Sequence, residues 1–168
     1  MAVRRAHLMM QLEQVGPSGH ALAMSLLGNT DDAADVLQDA VATVLNVRSF
    51  DASKGTFKAW FLAVVRNRCI DVMRQRRRRP EVDIESVDTA AEADDDPEAV
   101  AASDEMAHIV KRELAQLSPE HREILILREF LDLGYAEIGK VLDVPPGTVM
   151  SRLHRARSAL ADRVRSYG

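Results

Sequence analysis

The chain has 168 residues, of which 46% are hydrophobic and 4% aromatic, and its formal net charge at pH 7 is −4. This length suits one domain or two small ones, and the composition favours an all-helical fold. The single cysteine, Cys69, excludes an internal disulfide and a cysteine-rich zinc site, so we expect a small buried residue. No apolar run reaches the roughly 18 residues that span a bilayer and no signal peptide pattern is present, which predicts a cytosolic protein.

Charge is distributed unevenly along the chain. Residues 1–80 carry a net charge of +5, residues 81–105 carry −11, and residues 106–168 carry +2. The acidic segment lacks apolar periodicity and cannot bury enough surface to order itself. We therefore predict two small helical domains, 1–80 and 106–168, joined by an acidic flexible linker over 81–105. The linker is either a plain tether or a polyanion that fills a basic channel on a partner.

Three helices from about residue 20 to residue 80 are predicted to pack as the first domain. A short helix over His7 to Val15 should be broken or kinked by the run from Gly16 to Gly19, which contains a proline. The helix that follows should end at Gly28, a plausible C-cap. The next helix starts near Thr30 and has an apolar stripe at helical spacing, formed by Val36, Leu37, Ala40, Val41, Val44 and Leu45.

The opposite face of this second helix is acidic. Asp31 and Asp32 lie in its first turn, where carboxylates complement the helix dipole. Asp35 and Asp39 are one turn apart on the same face, where like charges repel mildly. The cluster is either a solvated face or a docking surface for a basic partner.

A loop with turn-forming residues, from Ser49 to Gly55, precedes a helix that should begin at about Thr56. Its first half has apolar residues at helical spacing, including Trp60, which we expect in the core. Four consecutive arginines, Arg76 to Arg79, stand before Pro80. Clustered guanidinium groups suit a surface of phosphates, although a solvated basic end also complements the helix dipole.

The second domain should begin with a helix from Met106. Ser118 and Pro119 then form a typical helix start, with serine as N-cap and proline at the first helical position. A short helix over 135–142 and a turn over 143–147 lead to a last, arginine-rich helix that Thr148 caps or opens. Two helices joined by a short turn, the second basic, indicate a helix-turn-helix. A basic amphipathic helix that merely faces water is the alternative.

Three stretches resemble one protein family in the correct order. LSPEHREILILREF with YAEIGKVLDVPPGTVMSRLHRAR resembles the fourth conserved region of bacterial sigma factors of the extracytoplasmic-function group. DAADVLQDAV resembles the family's core-polymerase-binding helix, and TFKAWFLAVVRNRCIDVMRQRRRRP resembles its segment that recognises the minus-ten element. Three departures stand out. The Gly16 to Gly19 run falls where the family has a continuous first helix, Gly134 stands where family members often have a serine or threonine cap, and Asp143 occupies a turn position that is commonly glycine.

The resemblance implies a promoter-specificity subunit of RNA polymerase, and it implies roles for three groups of residues. In the first domain the minus-ten element would be contacted by Ser53, Lys54, Thr56, Asn67, Arg74, Arg76, Arg77, Arg78 and Arg79. In the second domain the minus-thirty-five element would be contacted by Thr148, Ser151, Arg152, His154, Arg155 and Arg157. Core polymerase would bind Asp32, Asp35, Gln38 and Asp39.

The implied partners are core RNA polymerase, promoter DNA as duplex and as opened single strand, and an anti-sigma factor. No catalytic motif and no nucleotide-binding loop is visible, so we expect no enzyme activity and no metal or cofactor. Two alternatives stay open from the residues alone. A free-standing helix-turn-helix regulator explains the second domain, and an acidic helical adaptor explains the carboxylate-rich surfaces.

Overall fold

The computed structural model describes residues 2–47, 50–79 and 101–168, and within these ranges all regular structure is helical. The all-helical class is therefore confirmed. The helices are α1 (Ala2–Leu27), α2 (Thr30–Asn46), α3 (Phe57–Arg78), α4 (Ala101–Ala115), α5 (Pro119–Leu125), α6 (Tyr135–Leu142) and α7 (Pro146–Arg165). A 3-10 turn, Ala52–Lys54, precedes α3, and a π-helical turn, Ile126–Phe130, continues α5.

Helix α1 is continuous through the glycine and proline run, so the predicted break over Gly16 to Gly19 is wrong. Pro17 lies inside the helix. A residue before proline is normally pushed out of the helical region because its Cβ meets the proline ring, but Gly16 has no Cβ. Leu12, Val15 and Leu22 bury one face of α1 on both sides of the proline. Burial on both sides holds the helix together across the missing hydrogen bond.

Gly19 is required by the close approach of α1 to α3. A Cβ built at this position would lie 2.7 Å from Cε1 of Phe61 and 3.1 Å from Cδ1 of Leu37. Phe61 is fully buried, so its ring has little room to move. A glycine that looks like a helix breaker in the sequence is therefore a contact point between two helices.

We expect Gly19→Ala to destabilise the chain by up to about 2 kcal/mol. Alanine gains up to about 1 kcal/mol of helix propensity over glycine, but overpacking a filled core costs typically 1–3 kcal/mol. Gly147→Ala in α7 is the control, because nothing lies within 4 Å of a Cβ there. Urea unfolding followed by circular dichroism should show a lower midpoint for Gly19→Ala only. An unchanged or higher midpoint would contradict the close packing.

Helices α1, α2 and α3 pack as one bundle around Leu22, Val36, Phe61 and Val65, all nearly fully buried. The turn from α1 to α2 is made by Gly28, which has a positive φ of 68°, as the predicted C-cap requires. The N-caps are Asn29 and Thr56, which accept hydrogen bonds from the backbone N–H groups of Asp32 and Ala59. Trp60 is partly buried and packs against this core.

Cys69 is a fully buried residue of the same bundle, as predicted. Burial raises the pKa of the thiol to about 12, and the negative charge of Glu123 acts in the same direction. Since only the thiolate is an effective nucleophile, the Cys69 side chain is inert at neutral pH. Cys69 is a packing residue of α3.

Helices α4 to α7 form the second unit around Ile124, Leu127, Ile138 and Leu153. Ser118 caps α5 by accepting from the N–H of His121. The first residues of two helices differ from those predicted from the sequence. Helix α4 begins at Ala101, five residues before the predicted start, and the other predicted linker residues, 81–100, lie outside the described ranges. Helix α7 begins at Pro146, because proline suits the first helical position.

The turn between α6 and α7 depends on Asp143, which adopts a left-handed conformation with φ 56°. Aspartate tolerates this region better than most residues, so it replaces the glycine common at this position. Gly139 also matters here, because a Cβ would lie 2.7 Å from the carbonyl oxygen of Val144. The helix-turn-helix is therefore present, with an aspartate in its turn.

The two helical units are in direct contact. Helix α6 packs on α3, and α5 packs on α1. Several side chains join the units, among them Lys58, whose Nζ donates to the carbonyl oxygen of Leu131 at 2.7 Å. The sequence predicted a separating linker and gave no sign of this contact. No helix in the described ranges is both long and apolar enough to cross a membrane.

Candidate polymerase and nucleic-acid interfaces

The acidic face of α2 is exposed because the opposite face carries the core residues Ala33, Val36, Ala40 and Val44. Asp35, Gln38 and Asp39 point to solvent, and within the described part of the chain none of the three carries an ion pair. Gln38 and Asp39 follow Asp35 by three and four residues, so the three side chains lie on one face of α2 over about one turn. We call Asp35, Gln38 and Asp39 the acidic ridge.

Asp32 differs from the acidic ridge, although the sequence grouped it there. It is half-buried and forms an ion pair with Arg76 of α3. Arg76 also donates from Nη1 to the carbonyl oxygen of Leu27 at 3.2 Å, at the C-terminal end of α1. This arginine therefore joins the ends of α1 and α3 to the start of α2. Arg76 therefore has a structural role, unlike the three arginines that follow it.

Arg77, Arg78 and Arg79 are exposed at the end of α3, and in the described residues they make no ion pair. Asn67 and Arg74 are also exposed on this helix. The structure thus brings six of the predicted minus-ten residues onto the exposed surface of α3 and its C-cap, and five of them carry no ion pair in the described residues. Three adjacent unpaired guanidinium groups form a site of high positive charge that suits phosphate groups.

The loop before α3 is ordered by its own hydrogen bonds. Asp51 accepts from the backbone N–H of Ser53 at 3.0 Å and from its hydroxyl at 2.6 Å. These two bonds hold the pKa of Asp51 below its usual value, the hydroxyl contributing most. Ser53, Lys54 and Thr56 are all exposed, and Thr56 donates from Oγ1 to Oε1 of Glu137 in α6 at 2.8 Å. One predicted minus-ten residue is therefore bonded to the second unit.

Helix α7 presents a polar surface because Val149, Leu153 and Ala156 bury its other side. Ser151, His154 and Arg155 are exposed, and Thr148 is half-buried in the first turn. The three predicted arginines of this helix have different surroundings. Arg152 pairs with Glu120 at 3.0 Å, Arg157 pairs with Glu129 at 2.7 Å, and Arg155 has no ion pair in the described residues.

The ion pairs of α7 involve residues that sequence reasoning missed. Glu129 accepts a hydrogen bond from Arg157, which raises the pKa of that guanidinium group above its usual value. Glu120 and Glu129 belong to other helices, so no local spacing could reveal the pairs. Sequence reasoning also missed Met150, which is 58% exposed and lies beside Ser151 on α7. The amphipathic pattern signals it, since Met150 falls outside the Val149 and Leu153 stripe.

Comparisons with known proteins agree with this geometry. The family model Sigma-70 region 2 matches residues 12–79, and Sigma-70, region 4 matches residues 107–160. The ECF RNA polymerase sigma factor SigW of Bacillus subtilis is 30% identical over 155 residues, covering 87% of this chain and 82% of the relative. The chain belongs to the extracytoplasmic-function sigma factors.

Other relatives and solved structures support the same family. The ECF sigma-E factor of Escherichia coli K12 is 32% identical over 143 residues, covering 79% of this sigma factor and 74% of the relative. The sigma factor RpoE in complex with the anti-sigma factor NepR, from Bartonella quintana, has a TM-score of 0.76 and 28% identity, covering 94% and 96% of the two chains. CnrH, solved with the cytosolic domain of CnrY, shares the fold with a TM-score of 0.68 and 22% identity.

Membership of this family establishes what the chain does in general terms. This sigma factor is a promoter-specificity subunit that binds core RNA polymerase and promoter DNA. The region 2 match contains the acidic ridge, which a free-standing regulator leaves unexplained, and the arginines of α3, which an acidic adaptor leaves unexplained. The region 4 match contains the helix-turn-helix. Both alternatives from the sequence are therefore set aside.

Proposed function

We propose that the three exposed surfaces of this sigma factor divide promoter recognition among them. The acidic ridge of α2 binds a basic surface of core polymerase, α3 with its preceding loop holds the minus-ten element, and α7 reads the minus-thirty-five element. The observation that carries the proposal is the contrast between paired and unpaired charges. Asp35, Asp39, Arg77 to Arg79 and Arg155 carry no ion pair in the described residues, while Asp32, Arg76, Arg152 and Arg157 are each paired with an opposite charge within the chain.

The acidic ridge suits a protein partner that carries basic residues. Placing Asp35 and Asp39 one turn apart costs a few tenths of a kcal/mol through like-charge repulsion. A partner's lysines or arginines convert that cost into attraction and speed the encounter. Asp32 contributes less in this scheme, because Arg76 already neutralises it. The sequence assigned Asp32 the same role as Asp35, Gln38 and Asp39, and its ion pair with Arg76 supports a smaller role for it.

The exposed surface of α3 suits DNA whose strands have been separated. Arg77, Arg78 and Arg79 neutralise phosphates without reading bases, whereas Asn67 can form specific hydrogen bonds to a base edge. Ser53, Lys54 and Thr56 lie where α3 begins, so an unstacked base would be held at that end. Unstacking a base costs a few kcal/mol, which contacts at both ends of α3 must offset.

The N-terminal half of α7 suits the major groove of duplex DNA. Ser151 and Arg155 lie one turn apart on its exposed side, and Thr148 lies in the first turn. An arginine bonded to guanine supplies about 1–3 kcal/mol of discrimination against other bases. Arg155 is the arginine best placed to do so, because Arg152 and Arg157 would first have to leave their carboxylates.

An anti-sigma factor is part of this proposal. The Bartonella quintana RpoE was solved with the anti-sigma factor NepR, and that sigma factor matches nearly the whole of this chain. A partner of this class would cover the acidic ridge or the DNA-contacting surfaces. The proposed role is non-enzymatic and is performed in the cytoplasm, where polymerase meets the chromosome.

Reconstituted transcription tests the proposal. Core polymerase with and without the sigma factor is incubated with sheared genomic DNA from the source bacterium, and the 5′ ends of the transcripts are sequenced. The expected result is a set of start sites found only with the sigma factor, preceded by a shared pair of upstream motifs. Identical start sites in both reactions would refute the assigned function.

A further inference from the structure

Met150 is an exposed apolar residue among the proposed promoter contacts of α7. It is 58% exposed, whereas Val149 before it and Leu153 after it are buried and hold α7 to the rest of its unit. Single exposed apolar side chains are common on protein surfaces, so exposure alone assigns no role. The position of Met150 on the helix assigns one, because its exposed neighbours are residues proposed to contact DNA.

The exposed residues in the N-terminal half of α7 form one continuous surface. Each residue turns the helix by about 100°, so Met150 and Arg155 lie about 140° apart around the axis. Ser151 and His154 lie between them, and all four residues are exposed. Met150 and Arg155 therefore lie at the two edges of this surface. When such a helix lies in a groove, its successive side chains contact different bases, so Met150 and Arg155 do not share one contact.

The first turn of α7 leaves room for DNA to approach Met150. Gly147 lies one turn before Ser151 on the same face of the helix. Nothing lies within 4 Å of a Cβ built at Gly147, so packing inside the unit does not require a glycine there. A residue without a side chain lets a ligand come close to the backbone. DNA that approaches this turn closely comes within reach of the Met150 side chain.

The chemistry around Met150 favours DNA over an apolar protein partner. The nearest charged side chains along α7 are Arg152 and Arg155, and Arg155 carries no ion pair in the described residues. A basic surface attracts phosphate groups. In the major groove, thymine is the base whose edge carries a methyl group, and apolar side chains recognise it by contact. Methionine suits such a contact because its thioether chain is unbranched and polarizable.

We propose that Met150 is a specificity-determining residue of this sigma factor, which packs its side chain against the 5-methyl group of a thymine in the minus-thirty-five element. Ser151 and Arg155 supply hydrogen bonds, and Met150 supplies an apolar contact at a different base pair. A cytosine at that position presents an amino group and no methyl group, so Met150 would remove a polar group from water without bonding it. The inference rests on the proposed role of α7 and adds the chemical group that this helix selects.

Deoxyuridine tests the contact, because it lacks the 5-methyl group of thymidine and keeps the same hydrogen-bonding edge. Each thymine of the upstream motif, on either strand, is replaced singly in a synthetic promoter. Limiting holoenzyme, reconstituted from core polymerase and this sigma factor, transcribes an equal mixture of the replaced and the unreplaced promoter. The two run-off transcripts differ in length, so their ratio measures how strongly the holoenzyme prefers the methyl group.

Wild-type holoenzyme should prefer the unreplaced promoter by about threefold to tenfold at one thymine, which corresponds to burial of roughly one methyl group. Met150→Ala should use the two promoters equally at that thymine, and it should transcribe the unreplaced promoter less well by a similar factor. Met150→Leu should keep the preference, since leucine has a similar volume and no polar group.

The matched control is Met106→Ala, because Met106 is 50% exposed on α4, outside the proposed DNA-contacting surface. This variant should show the wild-type preference at every thymine. Circular dichroism should show the same helical content in all variants, since both methionines are exposed and neither belongs to the buried core.

Two results would overturn the role of Met150. The first is equal use of the two promoters by the wild type at every thymine, and the second is a preference that Met150→Ala leaves intact. The second result would mean that another side chain, or the shape of the DNA, senses the methyl group. Either result leaves the proposed function standing as long as wild-type sigma factor directs specific transcription from the unreplaced promoter. Absence of that transcription would instead refute the function itself, so the two failures are distinguishable.

Discussion

Replacing Asp35 and Asp39 together by arginine is expected to abolish sigma-dependent transcription while leaving the helical circular-dichroism signal unchanged. Both side chains are exposed on α2 and neither holds the bundle together, so the fold should survive. The double variant presents two positive charges to a basic partner surface. Like-charge juxtaposition in an interface costs several kcal/mol, which corresponds to a loss of about a hundredfold or more in affinity for core polymerase.

A charge-matched control separates docking from overall electrostatics. Glu13→Arg with Glu105→Arg changes the net charge by the same amount at exposed positions on α1 and α4. This control should retain run-off transcription and co-purification with core polymerase. The assignment of the acidic ridge would fail if the Asp35 and Asp39 variant still co-purified with core polymerase, or if the control lost activity equally.

The features of the fold that depend on local pattern were predictable. The apolar stripe of α2, the serine cap before Pro119 and the glycine at the end of α1 each act within one or two helical turns. The error at Gly16 to Gly19 has a tertiary cause. Proline inside a helix is unfavourable on propensity alone, but burial of Leu12 and Leu22 on the core outweighs that cost. Propensity is a weak guide where a helix face is buried.

The sequence predicted the candidate surfaces, but it did not predict which of their charged side chains form ion pairs. The arginines of α3 and α7 were found as clusters, because a cluster is visible in the sequence. That Arg76 pairs with Asp32, 44 residues earlier, and that Arg66 pairs with Glu123, 57 residues later, follows only from packing between helices. Charge runs therefore indicate a candidate nucleic-acid surface, while the structure shows which of its side chains are already paired within the chain.

Arg155→Ala is expected to produce the largest loss among single substitutions in α7. Its guanidinium group is exposed on the recognition helix and has no ion pair in the described residues, so it meets DNA without first breaking an internal bond. Losing one specific arginine contact costs about 1–3 kcal/mol, or roughly 5-fold to 150-fold in promoter affinity. Run-off transcription at subsaturating holoenzyme, with wild-type and variant sigma factor, measures the loss.

The matched control for Arg155 is Arg165→Ala, which removes the same charge from the C-terminal end of α7. Arg165 is exposed and pairs with Asp162 at 3.4 Å, beyond the part of the helix that we propose enters the groove. Its loss should lower transcription by no more than about twofold, through long-range electrostatics alone.

Base substitutions in the upstream motif provide a second test of Arg155. If Arg155 reads a base, one promoter position should lose its effect in Arg155→Ala, because the contact that distinguishes its bases is gone. Equal losses for Arg155→Ala and Arg165→Ala, with every promoter position still discriminated, would mean that Arg155 contributes only charge and that another residue of α7 reads the sequence.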